Sequence, residues 1–201
     1  GQSGETGNRL NSEFGMVKGW ITQNITDPEQ SYYMAITIDA VRAVDWVLTQ
    51  PEVNKRKIAV VGGSQGGGLA LITTALNRNV SMCVAHIPNM CHMDYGILHS
   101  SSSLTEAAAL IKRFPELLEP VLHSLAHFDM MNLAHRLQVP VRVSVGLKDN
   151  ICMPESVFAA YNRIDPALKH IDIQPFSGHE VSDRLSAQHI QALCDWARQT
   201  D

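Results

Sequence analysis

The sequence has no surplus of basic charge: 16 Lys and Arg stand against 20 Asp and Glu, a net charge of −4. A basic footprint for nucleic acid or an anionic membrane is therefore missing, and neither partner is expected. Long apolar runs are missing as well, so no segment reads as membrane-spanning. Cysteine is scarce: Cys83, Cys91, Cys152 and Cys194 are scattered and make no C-x-x-C pair. That excludes a disulfide framework and zinc-ribbon spacing, and is expected of free thiols in a reducing, cytoplasmic compartment. The sequence also has no H-E-x-x-H. His123 and His127 lie four apart on an expected helix but lack the adjacent glutamate, so they read as surface or packing residues. Internal repeats and interdomain linkers are absent too.

What is present is a chain of 201 residues, 45% apolar and 18% charged, which suits one soluble globular domain with a real core. Gly1 rather than Met opens it, inside the loop-like run Gly-Gln-Ser-Gly-Glu-Thr-Gly. It therefore reads as a piece of a longer chain, and the missing signal peptide carries no weight.

One stretch organises the rest. An apolar, β-branched run, Ile58 to Val61, meets Gly62-Gly-Ser-Gln-Gly66, and an Ala/Leu-rich segment continues to about Leu76. Strand, sharp turn and helix in that order give G-x-S-x-G a mechanical meaning: the serine sits at a strained apex. Its neighbours are small so that strand and helix can approach, with Gly62 and Gly66 at the motif positions and Gly63 and Gly67 adding room. Ser64 is thus the candidate nucleophile.

Before this stretch, residues 1–26 read as a long loop. Asp27-Pro28-Glu29 looks like a helix start, and apolar residues recur at helical spacing to about Gln50, where Pro51 ends the helix. After it, Val80 to Ile87 is a second strand. Residues 88–103 have no periodicity and read as a loop or the start of an insertion. Residues 104–137 read as two or three short helices broken at Pro115 and Pro120. Pro140 to Val145 is a third strand, Pro154 to Ile164 a helix, His170 to Ile173 a fourth strand, and about Ser182 to Thr200 a last helix. Alternating strands and helices predict an α/β fold, a mostly parallel sheet with helices on both faces, interrupted by a helical insertion at about 88–137.

A serine hydroxyl needs a base, and the base needs an orienting acid. On an α/β-hydrolase sheet they follow in the order Ser, Asp or Glu, His, each just beyond a strand end. Asp149 follows the third strand in Val145-Gly-Leu-Lys-Asp149, and His179 follows the fourth in Phe176-Ser-Gly-His-Glu180. Both fall at the sheet edge that would face the elbow. His170 sits at the wrong end of its strand, and His189 falls inside the last helix as a surface or packing residue. Cys152 lies close to Asp149 with nothing beside it to lower its pKa. The N–H of Gln65, after the nucleophile at a helix N-terminus, is the first candidate oxyanion donor. The second would come from a loop after an earlier strand, and no such strand precedes residue 57.

Taken together, Gly62-Gly-Ser-Gln-Gly66 and His179-Glu180 resemble the acetyl xylan esterase / cephalosporin C deacetylase family, carbohydrate esterase family 7. Gly1-Gln2 would be the end of that family's Arg-Gly-Gln. Gly19-Trp20, Asp27-Pro28, Tyr32-Tyr33, Phe128-Asp129 with Asn132-Leu-Ala134, and Gly146-Leu-Lys-Asp149 also fit. The likeness runs over nearly the whole chain and covers the family's C-terminal two-thirds. It implies an α/β-hydrolase lacking its N-terminal strands, with Ser64, Asp149 and His179 as nucleophile, acid and base and Gln65 as oxyanion donor. It further implies deacetylation of small or oligomeric esters, such as acetylated xylo-oligosaccharides and cephalosporin C, without metal or organic cofactor, by an intracellular hexamer. The family's second oxyanion donor, a Tyr N–H, would lie upstream. Two alternatives stay open: a serine peptidase or longer-chain acyl hydrolase on the same fold, and a non-catalytic fragment. The loop with Met90, Cys91, His92 and Met93 has no functional reading.

Overall fold

The computed structural model describes residues 19–199. The expected Arg-Gly-Gln remnant, and the loop reading of residues 1–18, lie outside them. After a 3-10 turn at Trp20–Thr22, helix α1 (Tyr32–Leu48) leads into strand β1 (Ala59–Gly63) and helix α2 (Gln65–Leu76). Strand β2 (Met82–His86) is followed by four helices: α3 (Met93–His99), α4 (Leu104–Arg113), α5 (Leu118–Ala126) and α6 (Met130–Leu133). Strand β3 (Val141–Gly146), helix α7 (Pro154–Tyr161), strand β4 (Lys169–Gln174) and helix α8 (Asp183–Arg198) complete the order.

The strands form one sheet in the order β1-β2-β3-β4, every pair parallel. Parallel strands require crossovers, which here carry the helices. Side chains alternate across a strand, so the sheet has two distinct faces. One face, with Ala85, Val143 and Ile171, shares its core with Leu71 of α2 and Val157 of α7. The opposite face receives α8, whose His189 meets His86 and Asp172. Because all strands run the same way, their C-terminal ends lie along one edge, and the loops beyond β1, β3 and β4 share it. Among the described residues β1 is an edge strand, with Val61 52% exposed. Among the same residues no helix is long and apolar enough to cross a membrane.

Three local expectations change. Helix α1 starts at Tyr32, capped by the Ser31 hydroxyl accepting from the Met34 N–H. Asp27 instead closes a turn, accepting from the Glu29 N–H at 3.0 Å. Residues 88–103 contain helix α3, which has no period to reveal it. Pro120 breaks nothing: it lies in the first turn of α5, where its missing N–H would have had no helical partner.

Candidate active site

Ser64 sits between β1 and α2 with φ 55 and ψ −120, a conformation that L-residues rarely adopt. Such a residue costs on the order of 1–3 kcal/mol and persists only when its surroundings hold it. They do: the Ser64 N–H donates to the His86 carbonyl at 2.9 Å. The Ser64 carbonyl accepts from the N–H groups of Gly68 at 3.1 Å and Asn89 at 2.9 Å. The glycines divide by role. A Cβ on Gly62 would lie 2.1 Å from the Gly66 carbonyl oxygen, on Gly67 2.7 Å from that of His86, and on Gly68 2.5 Å from that of Asn89. A Cβ on Gly66 would meet nothing within 4 Å, and on Gly63 only His86 Cβ at 3.9 Å. The room expected from Gly66 and Gly63 is therefore supplied by Gly62, Gly67 and Gly68.

Asp149 follows β3 with its side chain fully buried. Its Oδ1 accepts from the N–H groups of Ile151 at 2.8 Å and Cys152 at 3.0 Å, while Oδ2 lies 2.8 Å from His179 Nδ1. Oδ2 can only accept, so Nδ1 carries the proton and Nε2 is left with its lone pair. Nε2 lies 2.9 Å from Ser64 Oγ, whose hydroxyl donates to it. The three side chains thus form an unbroken relay from a buried carboxylate to a strained serine, with the imidazole 23% exposed. Gly146 makes the closure possible, because a Cβ there would strike the carbonyl oxygens of Gly178 at 2.4 Å and Ser177 at 2.6 Å. The Lys148 N–H donates to that same Ser177 carbonyl at 3.0 Å, tying the loop of Asp149 to the loop of His179.

Two parts of the site lack a sequence signal. Cys152 Sγ comes within 3.9 Å of Ser64 Oγ. Burial, and then the Asp149 charge, push its thiol up to about 12, so it stays protonated beside the serine. The other is the stretch around Met90, where Ile87, Met90 and His92 all have positive φ. Asp129, at the N-cap of α6, holds that stretch. Its Oδ1 accepts from the His92 and Met131 N–H groups, both at 2.8 Å, and its Oδ2 from the Met93 N–H at 2.6 Å. The braced segment supplies the Asn89 N–H to Ser64. Its role is to hold the elbow.

Gln65 is the first residue of α2, where helix N–H groups lie outside the helical ladder and the dipole favours negative charge. Among the described residues no group of three or more His, Cys, Asp or Glu is arranged to hold a metal ion. Of the cavities among the described residues, two with polar linings lie elsewhere. One of about 230 Å³ sits beneath α3 and α5, beside Asp129 and Arg163. The other, of about 460 Å³, lies between Arg78 and Gln138. Neither contains a nucleophile and base in contact, so chemistry rather than volume picks out the site.

Known proteins resemble this chain in sequence and fold. Residues 1–197 match the family model for acetyl xylan esterase (AXE1). The acetyl xylan esterase of Paenibacillus sp. R4 is 33% identical with a TM-score of 0.84, over 89% of this chain and 58% of that one. Acetyl xylan esterase 1 of Thermoanaerobacterium sp. JW/SL YS485 is 30% identical with a TM-score of 0.81, over 96% and 60%. Acetyl esterase Axe7A of Xylanibacter ruminicola is 29% identical over 171 residues, which is 85% of this chain and 38% of that protein. The chain spans well under two thirds of each of these relatives. A matched family model over nearly its whole length, on an α/β-hydrolase sheet, leads to one conclusion: the chain belongs to the acetyl xylan esterase family.

Proposed function

We propose that the protein is a serine esterase that removes acetyl groups from carbohydrate esters such as acetylated xylo-oligosaccharides, and from small esters of the cephalosporin C type. The observation that carries the reading is the relay: Ser64 Oγ to His179 Nε2 at 2.9 Å, and His179 Nδ1 to Asp149 Oδ2 at 2.8 Å. Family membership and the relatives named above support acetyl as the group removed. On this reading residues 88–137 are a helical insertion in one α/β-hydrolase domain.

His179 takes the Ser64 proton as Oγ attacks the acetyl carbonyl. The tetrahedral oxyanion rests on the Gln65 N–H, and losing one such donor costs roughly 3 kcal/mol. The C–O bond to the sugar breaks, and the departing alkoxide receives the proton from His179. Water then repeats the sequence on the acetyl-Ser64 ester: His179 takes one proton, hydroxide adds, and acetic acid leaves as His179 returns its proton to Ser64, the acid then ionising to acetate in solvent. Asp149 accepts from His179 Nδ1 and so holds the imidazole in the productive tautomer.

The test is acetate release from acetylated xylo-oligosaccharides by the purified protein. A loss of more than about 1,000-fold is expected in Ser64→Ala. Undiminished release in that variant overturns the reading. A series of aryl esters of increasing acyl length checks the acetyl assignment: the rate is expected to fall steeply beyond acetyl, and a flat series overturns the assignment.

A further inference from the structure

Behind the triad, on the face of the sheet away from the main core, lies a second set of histidines and an aspartate that the reaction does not use. Strand register aligns His86 with Ser144 and Ser144 with Asp172, so the three side chains form one row across β2, β3 and β4. His189 of α8 closes over that row. Its Nε2 lies 2.8 Å from Asp172 Oδ2, and its ring stacks on that of His86 with centroids 4.8 Å apart and planes 22° from parallel. Ser144 Oγ lies 3.2 Å from His86 Nδ1, and His170 Nε2 lies 3.2 Å from Asp172 Oδ1. His189 is 2% exposed, and its Nδ1 is buried without a partner among the described residues.

A buried imidazole with one unsatisfied nitrogen is a poor way to fill space, since a buried polar atom left unpaired is destabilising. What it adds is direction. Of the 16 residues of α8, only Leu185 and His189 are buried, so this polar contact is a principal anchor of the helix on the sheet. The helix follows directly on the loop that carries His179. Gln174, the last residue of β4, holds that loop, its Nε2 donating to the Glu180 carbonyl at 3.3 Å and its Oε1 accepting from the Ser182 N–H at 3.2 Å. The same row reaches the nucleophile, because the His86 carbonyl accepts the Ser64 N–H at 2.9 Å.

We infer that His189 is a positioning residue. By clamping α8 to Asp172 and His86 it fixes the loop that aims His179 at Ser64, so the clamp sets how well the base is aligned. The inference rests on His179 being the base. The clamp also carries a proton dependence. The titratable and charged groups on that face are His86 from β2, Arg142 from β3, His170 and Asp172 from β4, and His189 from α8, with Lys57 reaching the far end of the helix at Trp196. Burial, and then the neighbouring His189, hold His86 below the usual imidazole value. Burial works to raise Asp172, but its hydrogen bonds from His189 and His170 outweigh this and hold it below the usual carboxylate value. A proton on His86 is disfavoured by the ring stacked on it and weakens the contact that holds α8.

The test is steady-state kinetics on 4-nitrophenyl acetate for the purified protein, His189→Ala and His189→Gln, between about pH 5 and 9, with circular dichroism to follow folding. His189→Ala is expected to lose roughly 10- to 100-fold in kcat with KM within about twofold, as for a misaligned base. His189→Gln, whose amide can still donate to Asp172, is expected to recover most of that loss. On the acid side the original protein should lose kcat more steeply than His189→Gln, in which a proton on His86 no longer faces a stacked ring. Unchanged kcat in His189→Ala, or a Gln variant as impaired as the Ala variant, overturns the inference. If His189→Ala fails to fold, the Gln variant decides, and an acid limb identical to the original overturns the clamp. Ser64→Ala run in parallel separates the two readings. Activity that survives it overturns the Ser64–His179 relay and the clamp together, whereas activity lost there but kept in His189→Ala overturns the clamp alone.

Discussion

Replacing Asp149 with Asn changes one atom, and the geometry dictates the consequence. The carboxylate makes three contacts with no solvent access: Oδ1 to the N–H groups of Ile151 and Cys152, and Oδ2 to His179 Nδ1. An Asn amide has one oxygen to offer. If the oxygen stays at the Oδ1 position, two buried N–H groups remain satisfied and the NH₂ faces His179. If it flips, the NH₂ faces both N–H groups, and leaving them unpaired costs about 1–3 kcal/mol each. The first arrangement therefore wins. Facing a donor, His179 must present Nδ1 as an acceptor and carry its proton on Nε2, where it can no longer take the proton of Ser64. The expected loss in kcat is about 10⁴-fold, or about 5 kcal/mol of transition-state stabilisation, with the fold intact. Hydrolysis of 4-nitrophenyl acetate at neutral pH, alongside thermal unfolding, measures both. An Asp149→Asn variant that folds normally and keeps activity within about tenfold of the original would refute the tautomer argument.

Gly62→Ala drives a Cβ to 2.1 Å from the Gly66 carbonyl oxygen, a backbone atom that cannot swing away. It should destabilise by about 1–3 kcal/mol or more and cost activity through displacement of Ser64, read by thermal unfolding and kcat. Asp129→Ala frees the N–H groups of His92, Met93 and Met131 and should cost about 3–5 kcal/mol, seen as a lower urea midpoint. Stability should fall at both ends of the pH range. His86 titrates below its unfolded value, so beneath about pH 6.5 the unfolded chain binds a proton that the folded chain refuses. Cys83 and Cys152, each pushed up to about 12, ionise first in the unfolded chain, so stability declines above about pH 8.5. Unfolding curves across pH check both limbs, and His86→Asn should flatten the acid one.

The meeting of Ser64, Asp149 and His179 at one edge was legible because a parallel sheet sends every strand's C-terminus there, and each residue follows a recognisable apolar strand. What escaped was tertiary in origin. Helix α3 has no amphipathic period, and its first N–H groups are satisfied by Asp129, which lies 36 residues beyond Met93. Asp27 and Ser31 are both good caps, and only packing chose between them. Which glycine of the elbow must lack a side chain depended on where the His86 and Asn89 carbonyls fall, and on the reach from Gly62 to Gly66, none of which sequence spacing reveals. His189 read as a surface or packing residue because its partners, His86 and Asp172, come from distant strands.

The central claim is that the relay activates Ser64, and covalent trapping tests it most directly. Treatment of the purified protein with a fluorophosphonate, followed by mass-spectrometric mapping, should place a single adduct on Ser64. No adduct should form in Ser64→Ala, and labelling should slow sharply in His179→Ala. A protein that releases acetate yet takes no label at Ser64, or labels as fast without His179, would contradict the account.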